Sequence, residues 1–417
     1  MEQPTPSSPP SCQFKQYNHK YKQYINCKFP ICQNKNNLPF CGNHLPLGEI
    51  GPNGKMIQCN YCNQNIGEKI FQKHLLKCTK AIVHLQKASS QPQDISQSNN
   101  TTTATPRKWL KKQTKLSDIP KETITLLKQK IISLHKKLNL NLSYRDYKTN
   151  KNSKDILSKF TESELTSKNS KNLLQEISIY SNLIKEHYLI PFTDSSHYNG
   201  IYNPIFIELG CGTAELSKTI QIGCYYNSSH VLIDRMKYRS NKKYDPVIKS
   251  NLKKYNTLIR EVIDIKDIHI DNYITQIKTN SGKDNSTYDP VIIISKHLCG
   301  SACELSFAKI VEYKGKANLS IATCCHYLLT KDDYCNVDLF IQNGFTEDEF
   351  NLIARITAWS TLKETNSDIY EMGVKAKELI DYGRCLYLID KGFINVKLIK
   401  YTNETKENHL ILGIKPH

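Results

Sequence analysis

Phe206-Ile207-Glu208-Leu209-Gly210-Cys211-Gly212-Thr213-Ala214 decides the fold of this chain. Four residues of strand character run into Gly-x-Gly, and a helical pattern begins beyond it. The two glycines let the backbone turn tightly and pass close to a ligand. A dinucleotide fingerprint would place a third glycine where Glu215 stands, which weakens a pyrophosphate reading. A lone Gly-x-Gly is usually a plain turn, so its meaning depends on the rest of the C-terminal half.

From residue 205 onward, strands and helices alternate. Short β-rich runs recur at 205–209, 231–234, 258–264, 291–295 and 319–323, most of them separated by segments of helix length. Such alternation implies a parallel sheet covered on both faces. A helical stretch after 372 leads to two closing strands, 394–401 and 409–414, whose short polar connection predicts an antiparallel hairpin on one edge. This is an α/β, Rossmann-like class I methyltransferase layout with a mostly parallel seven-stranded sheet. Glu-x-Gly-x-Gly matches the S-adenosylmethionine pattern, with Glu208 placed to accept from the cofactor's ammonium group. The second strand ends at Asp234, which suits ribose hydroxyls, as in other doubly wound nucleotide sites. The third ends at Asp264, which is placed to accept from the adenine amine. With Gly210 and Gly212, three acids at three successive strand ends form the expected cofactor site.

The fourth strand runs into Ser295-Lys296-His297-Leu298-Cys299-Gly300, and the fifth into Ala322-Thr323-Cys324-Cys325-His326-Tyr327. Strand ends beside the switch point are where substrate chemistry sits in open α/β sheets. Lys296, His297, Cys324 and His326 are therefore the catalytic candidates. Methylation of a ribose 2′-hydroxyl needs a group that accepts its proton, and Lys296 or His297 suits that role. The blander alternative has Lys296 binding phosphate and His297 orienting a loop. Cys324 could attack C6 of a pyrimidine, as in C5 methylation of a base. Thr323 stands where a proline would precede such a nucleophile, and an inert buried thiol is the simpler reading.

The chain has 417 residues and a formal net charge of +18, from 57 Lys+Arg against 39 Asp+Glu. That excess favours a polyanionic partner, although an AT-rich coding sequence also inflates Lys. No run approaches the roughly 18 apolar residues of a membrane span. The opening Met-Glu-Gln-Pro carries no apolar signal segment, so nucleus or cytoplasm is expected rather than secretion. The Cys pairs are then metal ligands or reduced thiols. Seven of the 15 cysteines lie in the first 78 residues, which favours metal. Cys59-x2-Cys62, followed by His74-x3-Cys78, has zinc spacing. Upstream, Cys41-x2-His44 supplies two ligands, and Cys12 with either Cys27 or Cys32 completes a second site. The predicted organisation is a finger with a polar tail over 1–50, a second finger over 51–85, a polar linker over 86–106, a helical segment over 107–200 and the methyltransferase domain over 201–417.

These residues, in this order, resemble the eukaryotic tRNA 2′-O-methyltransferase family that modifies nucleotide 4 of the acceptor stem. The likeness covers nearly the whole chain apart from the tail and linker. A Cys-Cys-Cys-His finger is matched by Cys12, Cys27, Cys41 and His44, and a short second finger comes after it. The helix before the core matches as Lys171-x-Leu173-x-Gln175-x-x-Ser178, and the cofactor loop at Glu208, Gly210 and Gly212. The Lys-His-Leu-Cys-Gly and Thr-Cys-Cys-His strings are specific to this family and its near relatives. Near the end stand Trp359-Ser360 and Lys375-Ala376-Lys377-Glu378-Leu379-Ile380-Asp381-x-Gly383-Arg384. In the second finger the family's Cys-His-His-Cys becomes a C2HC set, with Asn65 at the position of its first His and Cys62 in its stead. The resemblance implies a tRNA substrate bound at its acceptor stem, a 2′-O product and adenosylmethionine as donor; zinc in the fingers and a monomer that touches no membrane are expected besides. The competing expectations are a non-catalytic, zinc-containing RNA-binding adaptor and a methyltransferase acting on an RNA base.

Overall fold

Two units of unequal size make up the chain, Met1–Thr105 and Pro106–His417. The computed structural model describes residues 13, 15–18, 23–27, 31–32, 38–41, 44–59, 64–71, 74, 116, 119–167, 170–190, 202–236, 244–281, 290–363 and 367–416.

In the first unit β1 (Lys15–Asn18) pairs antiparallel with β2 (Gln23–Asn26). A separate antiparallel sheet has the order β3 (Ile50–Gly51), β4 (Gly54–Gln58), β5 (Asn65–Gly67). Among the described residues of this unit the buried apolar side chains are Cys41, Leu45, Met56 and Cys59. So few cannot stabilise a fold alone, and small modules of this kind rely on staples.

The second unit opens with α1 (Lys121–Lys137), the two-residue β6 (Ser143–Tyr144), α2 (Ser153–Leu157), α3 (Glu162–Thr166) and α4 (Ser170–Lys185). Alternation then begins: β7 (Ile205–Leu209), α5 (Glu215–Gly223), β8 (Ser229–Asp234), α6 (Asp245–Ser250), β9 (Leu258–Val262) and α7 (Ile270–Ser281). It continues through β10 (Val291–Cys299), α8 (Ala302–Glu312) and β11 (Ala317–Cys324). Last come α9 (Asp338–Ile341), α10 (Glu347–Ile356), α11 (Asp368–Asp390), β12 (Ile394–Lys400) and β13 (His409–Lys415).

Eight strands form one sheet in the order β6-β12-β13-β11-β10-β7-β8-β9. β7 to β11 are parallel neighbours, and β13 runs antiparallel to both β11 and β12. The seven expected strands are present. The eighth, β6, adds two residues beside β12 and is too short to leave a periodic signal. It also places the β12–β13 hairpin one strand in from the edge.

Period-two alternation sends neighbouring residues of each strand to opposite faces. Ile205, Ile207, Leu209, Val231, Ile233 and Ile293 pack on one face with Ile274 of α7 and Phe307 of α8. Phe206, Ile292 and Ile294 pack on the other with Ile177 and Leu183 of α4 and Ile220 of α5. The helical segment is thus part of this core, since α4 covers the sheet directly. A third cluster joins Leu127, Ile131 and Leu134 of α1 to Phe350 and Ile353 of α10 and to Leu379 of α11. Among the described residues no helix is long and apolar enough to cross a membrane.

Candidate active site

A cavity of about 430 Å³ opens at the carboxyl ends of the parallel strands. Its walls include Glu208, Gly210, Gly212, Asp234, Asp264, Lys296 and His297, together with Asn172 and Glu176 from α4. Gly210 (φ +68°) and Gly212 (φ +48°) both lie in the left-handed region. A Cβ at Gly210 would sit 3.2 Å from the His297 carbonyl oxygen and from Leu298 Cδ2, so the turn packs directly on β10. A Cβ at Gly212 would meet nothing within 4 Å. The space above that glycine is open to the cavity, as a ligand cradle requires.

The acids are anchored by the loop they surround. One oxygen of Glu208 accepts from Ser217 N (3.1 Å) and Ser217 Oγ (2.5 Å). Burial pushes its carboxyl up to about 7, against the lowering pull of those hydrogen bonds. Asp234 Oδ2 accepts from Gly212 N at 2.9 Å and Oδ1 from Met236 N at 2.8 Å, so this acid also fixes the glycine turn. Asp264 lies two residues beyond β9, where Oδ1 accepts from Lys266 N at 3.2 Å and caps a short 3₁₀ turn. A second brace was not foreseen. Arg260 of β9 holds Asp245 with two hydrogen bonds of 2.5 and 2.7 Å and donates to the Gly212 carbonyl at 3.2 Å.

β10 runs on through Cys299, with a register break between Ser295 and Leu298. Such an irregularity re-aims side chains. Lys296 is buried, with Nζ 2.5 Å from Glu176 Oε1 and 3.3 Å from the Asn172 carbonyl. Glu176 is fully enclosed, and its other oxygen accepts from Thr219 Oγ1 at 2.7 Å. Burial raises the Glu176 carboxyl, and Lys296 only partly offsets this. His297 points outward and is exposed. Partial desolvation and the Lys296 ammonium hold its imidazole below the usual value, so it is neutral at pH 7. Glu176 escaped the reading of the sequence. Its only signal was a charge set within an apolar run, Leu173-Leu174-Gln175-Glu176-Ile177.

Cys324 and His326 are absent from the described residues that line the cavity. Both are buried behind its wall. His326 Nε2 donates to Asp381 Oδ2 (2.8 Å), which also accepts from His409 Nδ1 (2.7 Å) and Thr323 Oγ1 (2.9 Å). Arg384 completes the network with hydrogen bonds to Asp381 (2.8 Å) and Glu304 (2.8 Å). Burial alone would raise the Asp381 carboxyl, but His326, His409 and Arg384 hold it well below the carboxylate range. This network orients the Thr-Cys-Cys-His loop. Cys324 Sγ lies 3.5 Å from Cys299 Sγ. Hydrogen bonds to its neighbours make Cys299 the most acidic thiol of the group, while the same contacts and burial push Cys324 up.

In the first unit Cys27 Sγ lies 3.9 Å from Cys41 Sγ, which lies 3.4 Å from His44 Nδ1. These three converge as metal ligands would. Cys32 instead donates to the Phe40 carbonyl at 3.5 Å. Cys59 is buried just after β4, its amide donates to the Gln64 carbonyl (2.9 Å), and His74 is helical. Cys12, Cys62 and Cys78 lie outside the described residues.

A sheet of this order, with a glycine turn and acids at successive strand ends around one cavity, has the Rossmann-like layout of the class I methyltransferases. The family model "Methyltransferase TRM13" matches residues 174–371 of this chain. A TRM13 homologue of Dictyostelium discoideum, a tRNA:m(4)X modification enzyme, is 31% identical over 274 residues, covering 52% of this chain and 50% of that protein. The chain therefore aligns with about half the length of this relative. The TRM13 enzyme of Vanderwaltozyma polyspora is 28% identical over 434 residues, covering 91% of this chain and 95% of that one. Among solved structures, the CurJ carbon methyltransferase is similar at 12% identity with a TM-score of 0.32, covering 71% of each chain.

Proposed function

We propose that the chain transfers a methyl group from S-adenosylmethionine to the ribose 2′-hydroxyl of nucleotide 4 in the acceptor stem of tRNA. The observation that carries this reading is the single cavity where the glycine turn and three acids face the buried Lys296–Glu176 pair. When bound, the cofactor supplies an electrophilic methyl group on a positively charged sulfur. Gly210 and Gly212 let the backbone approach it, Glu208 accepts from its ammonium group, Asp234 takes the ribose and Asp264 the adenine amine. Lys296 accepts the hydroxyl proton as the new C–O bond forms. The carboxyl of Glu176, raised by burial, lies 2.5 Å from its Nζ and is suited to relay that proton onward. A neutral, exposed His297 on the same wall is the second candidate acceptor. Asp381 is a positioning residue that acts through His326.

Zinc in the first unit fits two ligand sets, Cys12 with Cys27, Cys41 and His44, and Cys59 with Cys62, His74 and Cys78. The modules occupy 1–50 and 51–85, ahead of a linker over 86–106 and the helical segment over 107–200. With a net charge of +18, phosphate and 2′-hydroxyl contacts are the natural mode of binding, because A-form RNA offers shape more than sequence. Incubation of unmodified tRNA with labelled donor, with nuclease mapping of the product, tests the function. Label on the 2′-oxygen of nucleotide 4 is expected; label on a base, or bound donor without transfer, would overturn it.

A further inference from the structure

Cys299, Cys324 and Cys325 bring three thiols together at the ends of β10 and β11, with all three Sγ atoms within 4.8 Å of one another. The arrangement has a backbone cause. Cys299 and Cys324 are register partners on adjacent strands, which places their side chains on one face. Cys325 would normally point to the opposite face. Its backbone is instead left-handed, with φ +51°, which turns its Sγ back toward the other two. A non-glycine residue in that region is strained, and such strain clusters at functional sites.

We propose that Cys299, Cys324 and Cys325 form a binding site for a soft divalent cation of the zinc class, separate from the fingers. Tetrahedral zinc–thiolate bonds of about 2.3 Å place neighbouring sulfurs about 3.8 Å apart. The Cys299–Cys324 separation of 3.5 Å is close to that edge and far from the roughly 2.05 Å of a disulfide. Three convergent thiols also exceed what one disulfide uses. Binding converts the thiols to thiolates and releases their protons to solvent. Among the described residues the group holds no fourth Cys, His, Asp or Glu ligand atom, so water completes the shell. Because Cys299 lines the cavity, the ion would pin the end of β10 that carries Lys296 and His297.

The test is metal content of the full chain, purified under reductant, by mass spectrometry of the dissolved protein. Cys41→Ser/Cys59→Ser, which disables the fingers, should retain one zinc equivalent per chain. Adding Cys299→Ser and Cys325→Ser should remove that equivalent while a cooperative thermal transition persists. If the four-fold variant does not fold, the two-fold variant still decides. No metal in the two-fold variant overturns the proposal, as does an equivalent that survives Cys299→Ser/Cys325→Ser in a folded chain. A Cys299–Cys324 disulfide in metal-free protein made without reductant would also replace the metal reading with a redox one.

Discussion

Cofactor affinity should depend on pH through one buried carboxyl. Glu208 sits at about 7 in the free protein because burial penalises its charge. An ammonium group bound beside it would restore the ionised form. If only that form binds, the dissociation constant scales as one plus the protonated-to-ionised ratio, which is about 11 at pH 6 and about 1.1 at pH 8. Affinity should therefore rise about tenfold over that interval, or about 1.4 kcal/mol. Proton release on binding should fall from about 0.9 to about 0.1 per site across the same range. The sign for stability is opposite. A carboxyl raised from 4.5 to about 7 contributes stability fully below pH 4.5, and the free protein loses it as pH rises through 7. Calorimetric titration with S-adenosylhomocysteine at pH 6, 7 and 8, in buffers of different ionisation enthalpy, reads both quantities. The ligand's own amine titrates nearby, so Glu208→Gln is the control that isolates the protein's contribution. Glu208→Gln should bind more weakly at pH 8 and lose the tenfold slope. Equal slopes in wild type and Glu208→Gln would refute the reasoning.

Lys296→Met should lower kcat by roughly 10²–10⁴-fold, the range of a lost acid–base group, with cofactor affinity little changed. The larger kcat loss in His297→Ala would transfer the proton-accepting role to the imidazole. Gly210→Ala forces a side chain into a left-handed turn, at a cost of about 1–2 kcal/mol, and presses on β10. Titration should show weakened cofactor binding, and unchanged affinity would count against the cradle. Arg384→Met strands two buried carboxylates, Asp381 and Glu304, and should reduce stability by about 3–5 kcal/mol in urea unfolding. A loss below about 1 kcal/mol would mean that the network does not hold the loop.

The strand ends were legible because their signals are local. A buried β-rich run, a glycine pair and an acid fall within ten residues, and alternation fixes the parallel sheet. The features that escaped are made by tertiary contact. Glu176 meets Lys296 across 120 residues, and on α4 it reads as an ordinary helical charge. Arg260 and Asp245 lie on different elements, and neither stands in a recognisable string. Asp381 and Arg384 were visible in a motif whose role became plain only when His326 and His409 converged on the carboxylate. Sequence order placed Cys324 and His326 at a strand end, but not on which side of the loop they fall. Their burial behind the wall follows from the network that fixes the loop.

The relation between the glycine turn and Lys296 is most directly tested by the crystal structure of the full chain with S-adenosylhomocysteine. The sulfur should lie in the cavity between Gly210 and Lys296, with the ammonium group at Glu208 and the ribose at Asp234. Density for the ligand anywhere else, or a cavity closed by side chains around Gly212, would contradict the assignment.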